Sequence, residues 1–179
     1  MARQPVRLTY QDYVHFPAGR RWELIKGQPH PIPPPNRRHQ EVLGRLFMLV
    51  ARYLDANRGG HAYIGPIDVV LREDDVFQPD LVYVSDADAD VLTEANIWGT
   101  PTWVVEVLSD PYRERDKLEQ YEAAHVPEHW LVNPYEDTLA ISTLDGSTYA
   151  EPSIQRPPEV VRPHCLLGLD IDLAFVLRR

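Results

Sequence analysis

A strand-forming run with one carboxylate in its middle constrains this chain most strongly. Residues 102–108 consist largely of valine and other strand formers, and Glu106 is their single charged member. Because a carboxylate among apolar side chains is costly unless it is paired or binds a cation, Glu106 requires a partner. Side chains alternate along a strand, so Glu106 shares its face with Val104 and Leu108. The run therefore predicts a central strand that carries a paired or metal-binding acid.

A second acid stands at the beginning of another apolar strand. Asp80 follows Pro79 and precedes the apolar residues 81–84. If the two strands are neighbours, Asp80 and Glu106 converge at one end of a sheet, and a shared proton or a hard cation relieves their repulsion. Mg²⁺ suits such a site because it prefers oxygen ligands and retains several waters.

A lysine on the next helix completes a possible reaction site. Residues 114–125 are predicted to be helical, and Lys117 shares a helical face with Tyr121. If that face lies against the sheet, the ammonium approaches the carboxylates, where it can orient water or neutralise charge on a phosphate. A second interpretation stays open, in which Lys117 is exposed and pairs with Glu114 or Asp116.

The other segments predict alternating helices and strands. Thr9 and Asp12 form a capping box for a short helix that ends near Phe16. A hairpin is expected from residue 22 to the prolines at 33–35, and an amphipathic helix over residues 39–57. Further strands are predicted over residues 63–64, 67–71, 80–84, 128–132 and 138–143, with a charged turn at 72–75, a hairpin turn at 145–146 and a terminal helix or strand over 169–177.

Length and composition are those of one globular domain. The chain has 179 residues, of which 44% are hydrophobic and 25% are charged. Its single cysteine, Cys165, cannot form an internal disulfide, and Arg45 and Arg52 interrupt its longest apolar stretch. We therefore expect a cytoplasmic protein without a membrane span.

The charge argues against a surface covered with phosphate-binding lysines. The net charge is −9, whereas nucleic-acid binders usually have a clear basic surface. A carboxylate site itself lowers the net charge, however, and a basic patch can be local. The candidates for such a patch are Arg20, Arg21, Arg37, Arg38, Arg113 and Arg115.

Two histidines, His125 and His129, are four residues apart near the end of the second predicted helix. Pro127 lies between them and argues against one continuous helix, so a zinc pair is not expected. Both histidines are expected at the surface.

Several separated motifs occur in an order that resembles a known family. They are residues 77–82 (FQPDLV), 105–109 (VEVLS), Lys117 with Tyr121, and 126–133 (VPEHWLVN), preceded by 22–27 (WELIKG), the prolines 33–35 with His39, and 66–69 (PIDV). In this order they resemble the restriction endonuclease family known as the Uma-two family, over residues 9–144.

The resemblance implies a fold. It is that of the PD-(D/E)XK nuclease superfamily, an α/β restriction-endonuclease-like core in which α-helices flank a mixed β-sheet, with an N-terminal helix and β-hairpin. The chain would form one domain over residues 1–179, with its core at about 9–144 and a C-terminal extension over 145–179.

The resemblance also implies a site. The first acid of the superfamily falls on Asp80 and the second on Glu106, both as metal ligands, and Val107 is counted as a further metal ligand. The lysine ordinarily stands two places after the second acid, where this chain has Leu108, so its role passes to Lys117.

Auxiliary residues and partners follow from the same resemblance. Glu23 matches an additional acid of such folds, and the possible auxiliary residues are His39, Asp68 and Tyr121. The implied cofactor is Mg²⁺, or Mn²⁺ in its place, and the implied substrate is DNA. A homodimer is expected because endonucleases of this fold often pair to cut two strands.

The chain departs from the family pattern at two places. The stretch between Ser109 and Lys117 is a few residues shorter than usual, so the helix that carries Lys117 is expected to begin differently. His125 replaces a common glycine just past the helix, where a left-handed conformation is expected.

Two other functions remain compatible with the residues. In the first, the fold is a non-catalytic binding or assembly module with structural carboxylates, which the acidic net charge favours. In the second, the site hydrolyses a small phosphorylated compound. A basic groove beside Asp80 and Glu106 would favour the endonuclease, and an acidic or occluded groove the binding module.

Overall fold

The computed structural model describes residues 6–109 and 114–179, and the side chains of residues 114–116 lie outside that description. The elements of the first half are α1 (Tyr10–Tyr13), β1 (Arg21–Ile25), β2 (Gln28–Ile32), α2 (Arg37–Asn57), β3 (Gly60–Ile64), β4 (Val69–Arg72), β5 (Asp75–Phe77) and β6 (Leu81–Ser85). A 3-10 helix (Asp86–Val91) follows.

The second half is richer in strands. Its elements are β7 (Ile97–Trp98), β8 (Trp103–Val107), α3 (Glu114–Ala123), β9 (Glu128–Asn133), β10 (Thr138–Asp145), β11 (Thr148–Tyr149), β12 (Ser153–Gln155), β13 (Val160–Val161), β14 (Ile171–Asp172) and α4 (Leu173–Val176). The predicted mixed α/β class is confirmed. Among the described residues, no helix has the length and apolar character needed to cross a bilayer.

The described strands form two large sheets and a small one. The larger sheet has the order β11-β10-β9-β8-β6-β3, with β12 also paired to β10. The second sheet, with the order β2-β1-β5-β4-β7, contains the predicted N-terminal hairpin, and β13 pairs with β14. Both large sheets are mixed, because β8 runs parallel to β9 and β4 runs parallel to β7.

The two strands that carry the predicted acids are neighbours. β6 and β8 are antiparallel, with Leu81 opposite Val105. The beginning of β6 therefore lies beside the carboxyl end of β8, which brings Asp80 next to the segment that contains Glu106 and Val107. This was the condition on which the predicted convergence of the acids depended.

Two helices cover opposite faces of the larger sheet. Leu43 and Leu46 of α2 belong to the same apolar cluster as Val105. Tyr121 of α3 packs in another cluster with Val82 and Val104. Since Glu106 lies on the face of Val104, it points toward α3.

Some predicted boundaries were wrong. α2 begins at Arg37, two residues earlier than predicted, because the side chain of Asn36 accepts a hydrogen bond from the His39 N–H at 3.0 Å and caps the helix. α1 has its predicted capping box but ends at Tyr13. Residues 169–177 form both a strand, β14, and a helix, α4. The charged segment predicted as a turn contains the beginning of a strand, β5, and β7 was not predicted.

Candidate active site

Asp80 is held by two neighbouring elements at the edge of the larger sheet. Its Oδ2 accepts a hydrogen bond from the Val107 N–H at 2.8 Å. The same oxygen lies 2.9 Å from His39 Nε2, which comes from the first turn of α2. His39 is buried, so the contact orients the Asp80 carboxylate inside the protein. The structure thus places the auxiliary residue His39 against the first predicted acid, and the backbone amide of Val107 beside it.

Glu106 and Glu23 share one ammonium group. Lys117 Nζ lies 3.2 Å from Glu106 Oε1 and 2.8 Å from Glu23 Oε1. The Lys117 side chain is 11% exposed, and those of the two acids are 5% exposed or less. The interpretation of Lys117 as an exposed helix lysine is therefore wrong. α3 turns this face toward the sheet despite the shorter segment that precedes it.

Two further donors orient these acids. Tyr121, one turn after Lys117, donates its hydroxyl to Glu106 Oε1 at 2.7 Å. The backbone N–H of Gln78 donates to Glu23 Oε1 at 3.0 Å. Because Gln78 is two residues before Asp80, one segment positions acids on two different strands.

His129 lies behind this cluster, and its predicted surface position was wrong. Its ring stacks on that of Tyr121, with centroids 5.4 Å apart and an interplanar angle of 28°. Burial, and then the nearby charge of Lys117, lower the pKa of His129 to about 3. The imidazole is therefore neutral and supports Tyr121 as an aromatic ring. His125, in contrast, is exposed as predicted.

Asp68 lies in an adjoining network and does not contact Asp80 in the described part of the chain. Its Oδ1 accepts hydrogen bonds from the Tyr13 hydroxyl and from Gln78 Nε2, each at 2.8 Å. Burial, and then the bond to Asp68, raise the pKa of Tyr13 above its usual value. Arg21 Nε donates to Gln78 Oε1 at 2.8 Å. Asp68 and Gln78 line a groove of about 660 Å³ that also contains Tyr63 and Ile67.

Gln78 is the residue that the sequence interpretation missed. It was quoted only as part of the motif around Asp80, yet it links Glu23 to Asp68 through its backbone and side chain. A polar residue between Phe77 and Pro79, directly before a predicted metal ligand, was the available signal.

The donor set fits a hydrated divalent cation. Within the described residues, no three His, Cys, Asp or Glu side chains are grouped so that they could enclose a metal ion. Mg²⁺ does not require such a group, because it usually takes one or two protein carboxylates and retains several waters. Asp80 and Glu106 come from adjacent strands and are the two carboxylates that would form such a pair. The remaining ligands of the cation would be water molecules and oxygen atoms of the substrate.

The arginines predicted as candidates for a basic patch lie in different parts of the chain. Arg37 and Arg38 belong to the first turn of α2, beside His39. Arg21 is bonded to Gln78, and Arg20 is exposed. Arg113 and the side chain of Arg115 lie outside the described residues.

Comparisons with known proteins identify one family from the sequence and one similar fold from a solved structure. The model of the Uma2 family, described as "Putative restriction endonuclease", matches residues 9–174. A crystal structure described as "a putative nuclease belonging to DUF820", from Anabaena variabilis, is similar with a TM-score of 0.80. The two sequences are 16% identical, and the similarity covers 97% of this chain and 98% of that chain. No curated protein matches this chain.

Proposed function

The chain belongs to the Uma2 restriction endonuclease family, and on this premise we propose that it is a metal-dependent endonuclease that hydrolyses phosphodiester bonds in DNA. The observation that carries the proposal is the buried arrangement in which Lys117 lies between Glu106 and Glu23 while Asp80 is held on the adjacent strand. Two carboxylates beside a lysine are a chemically complete set for phosphodiester hydrolysis.

In this proposal Asp80 and Glu106 hold the cation, with Val107 as a further ligand. Mg²⁺, or Mn²⁺ in its place, would supply Lewis-acid stabilisation of the phosphoryl oxygens when bound. His39 and the Val107 N–H orient Asp80 through its Oδ2. Tyr121 orients Glu106 in the same way through its hydroxyl. These are positioning residues, because they act through the two acids.

Lys117 stabilises negative charge that develops on the phosphate. Its ammonium is held by two carboxylates from different strands, which restricts its position before substrate arrives. A preoriented cation of this kind stabilises a transition state without reorganising during the reaction. Glu23 is the auxiliary acid that restrains Lys117 and accepts the Gln78 N–H.

The proposal includes an assembly and a location. A homodimer would present two such sites to the two strands of a duplex, in keeping with the family resemblance. The cytoplasm is the compartment in which we expect the protein to act on DNA.

The binding-module function has a specific observation in its favour. Lys117 contacts both Glu23 and Glu106, so a single ammonium already neutralises part of the acidic cluster. A paired cluster of this kind can be structural, because removing one partner from a buried ion pair is strongly destabilising. Metal binding and cleavage must therefore be measured separately.

The first experiment measures metal binding at the two acids. Mg²⁺ and Mn²⁺ are titrated by calorimetry into the wild-type protein and into the Asp80→Asn and Glu106→Gln variants. Asp55→Asn is the matched control, because Asp55 is an exposed acid on α2. We expect the heat of binding to disappear in both site variants and to persist in the control. Circular dichroism melting checks that each variant is folded.

The second experiment assigns the reaction. The same proteins, together with Lys117→Gln, are assayed for metal-dependent nicking of supercoiled plasmid. We expect nicking by the wild type and the control, none by the acid variants, and a loss of about 100-fold or more in Lys117→Gln with metal binding retained. If the folded wild-type protein does not bind metal and does not cut DNA, the endonuclease proposal is overturned and the binding module is favoured.

A further inference from the structure

A pocket lined by arginines lies at the beginning of α2. It has a volume of about 500 Å³, and its lining includes Arg37, Arg38, Arg45, Arg179, Glu41 and Tyr135. We call it the arginine pocket. We propose that it binds a backbone phosphate of the DNA strand that is cut, a few nucleotides from the cleaved bond. This inference rests on the proposed function and names a second contact with the same substrate.

The charge of the arginine pocket opposes that of the whole protein. Four arginines and one glutamate line it, which leaves three positive charges in a chain of net charge −9. Asp137 contacts both Arg38 and Arg179, at 3.5 and 3.2 Å, and counting it still leaves an excess of two. A local excess of this kind attracts an anion although the protein as a whole is acidic.

Two of the arginines are braced by a backbone carbonyl group, and of these two only Arg38 also contacts a carboxylate, that of Asp137, among the described residues. Arg38 Nη1 and Arg45 Nη1 each donate to the carbonyl oxygen of Arg178 at 2.6 Å. Carbonyl groups orient a guanidinium but carry no net charge to cancel its own. Each guanidinium has five N–H donors, so donors remain for a phosphate.

The other two arginines are accessible to a ligand. The side chain of Arg37 is 91% exposed and pairs with Glu41 at 3.3 Å, and that of Arg179 is 73% exposed. Exposed ion pairs contribute little to stability, so Arg37 can exchange Glu41 for a phosphate with little loss. The braced pair and the accessible pair together form a pocket that is partly organised before binding.

The arginine pocket and the carboxylates lie at the same edge of the larger sheet. Tyr135 follows β9, in which Val132 is paired with Val107, the residue that holds Asp80. The Tyr135 hydroxyl also accepts a hydrogen bond from Asn36, the capping residue of α2, at 2.7 Å. The helix N-terminus adds a partial positive charge to this edge.

Helix geometry gives the spacing between the two sites. His39 faces Asp80, whereas Glu41 and Arg45 follow it by two and six residues and therefore lie on the opposite side of α2. The arginine pocket is thus separated from Asp80 by about one helix diameter, ~10–12 Å. At a rise of ~3.4 Å per nucleotide this distance corresponds to about three nucleotides.

The test measures binding of a duplex oligonucleotide by fluorescence anisotropy at several salt concentrations, with chelator present so that no cutting occurs. Three variants change one charge each. Arg37→Ala removes a pocket arginine, and Glu41→Gln removes the pocket acid. Arg52→Ala is the matched control, because Arg52 is an exposed arginine of the same helix, about 22 Å from Arg37 along its axis.

We expect Arg37→Ala to weaken binding about 3- to 10-fold and to reduce the slope of log affinity against log salt by about 1, as the loss of one phosphate contact requires. Glu41→Gln is expected to tighten binding, and Arg52→Ala to leave it unchanged. In the presence of metal, Arg37→Ala should raise the KM for duplex cleavage.

Each outcome separates this inference from the proposed function. Equal binding by Arg37→Ala and Arg52→Ala would overturn the phosphate site, while metal-dependent nicking by the wild type would leave the endonuclease proposal intact. Weakened binding by Arg37→Ala in a protein that never cuts would support the phosphate site and count against the nuclease. A wild-type protein that binds no duplex would overturn the phosphate site directly.

Discussion

His129 shows how a residue outside the proposed chemistry can still determine the behaviour of the site. It is buried, and neither of its ring nitrogens has a hydrogen-bond partner in the described part of the chain. Its ring supports Tyr121, whose hydroxyl orients Glu106. A neutral ring is compatible with this position, whereas an imidazolium would be buried beside the Lys117 ammonium.

This position predicts a stability that depends on pH. The pKa of His129 is lowered from 6.5 to about 3 in the folded protein, so the unfolded chain takes up a proton that the folded chain cannot. Stability therefore falls as the pH falls below 6.5. Between about pH 7 and about pH 5 the loss from this group is about 2 kcal/mol. Urea unfolding of the wild type and of His129→Phe at the two pH values measures the difference.

The phenylalanine variant retains an aromatic ring against Tyr121 but cannot bind a proton. We expect it to lose about 2 kcal/mol less than the wild type on acidification. His15→Phe, in which the replaced side chain is exposed, is the control and should follow the wild type. If His129→Phe shows the same pH dependence as the wild type, His129 is not held neutral by burial.

For individual residues, the sequence predicted the acidic residues of the site better than it predicted the residues that contact them. A charged residue in a valine-rich strand indicates Glu106 without knowledge of any neighbour. The burial of His129 depends instead on β9 lying beside β8, which is a long-range pairing. The role of Gln78 likewise depends on the packing of β1 against the segment before β6. Local patterns do not contain such information.

Among the elements, the end of α3 carries a strained residue. His125 has φ 58°, in the left-handed region, just after the last helical residue, Ala123, and a glycine was the residue expected there. Its side chain is exposed, so little packing compensates for the strain. The predicted left-handed conformation is confirmed.

Replacing His125 by glycine should therefore stabilise the protein. We expect a gain of up to about 1 kcal/mol in the free energy of unfolding, because glycine adopts positive φ without steric strain. Ala123→Gly is the matched comparison, because Ala123 is also exposed but is helical, and glycine there should destabilise by about 1 kcal/mol. Chemical denaturation gives both values, and changes of the same sign would contradict this explanation.

Elements with strong local patterns were predicted well, and those that depend on neighbours were not. α2 has a long apolar periodicity and β8 has a continuous run of strand-forming residues, and these patterns indicate their type. β5 begins at Asp75, a charged residue within a predicted turn. That carboxylate is buried because it accepts hydrogen bonds from Arg72 at 2.8 Å and from the Lys26 N–H at 2.7 Å. β5 is therefore stabilised by its contacts with β1 and β4, which no local sequence pattern indicates.

In the whole molecule, the C-terminal segment packs into the main core. Ile171, Leu173 and Val176 belong to the same buried cluster as Leu46 of α2. Glu128 connects the segment to the sheet, because it accepts hydrogen bonds from the Trp130 indole at 2.6 Å and from the His164 N–H at 2.8 Å. Burial raises the pKa of Glu128, as expected for a carboxyl group that is 2% exposed.

This packing predicts that residues 145–179 and the nuclease-like core unfold together. Leu173 is 2% exposed, so Leu173→Ala should lower the free energy of unfolding by about 2–5 kcal/mol. Leu167, in the same segment, is 83% exposed. Leu167→Ala should therefore change the free energy of unfolding by no more than about 0.5 kcal/mol. Tryptophan fluorescence follows the two large sheets, because Trp22 and Trp98 lie in the second sheet and Trp103 and Trp130 in the larger one, while far-ultraviolet circular dichroism follows the whole chain.

Coincident transitions with both probes, shifted together in Leu173→Ala, are expected of a single cooperative unit. A separate early transition in circular dichroism, with the tryptophan signal unchanged, would instead mean that the C-terminal segment folds independently of the sheet. Because Arg38 and Arg45 donate to carbonyl groups of this segment, loss of its packing would also release the arginine pocket. Leu173→Ala is therefore expected to weaken DNA binding as it unfolds, whereas Leu167→Ala is expected to leave both properties unchanged.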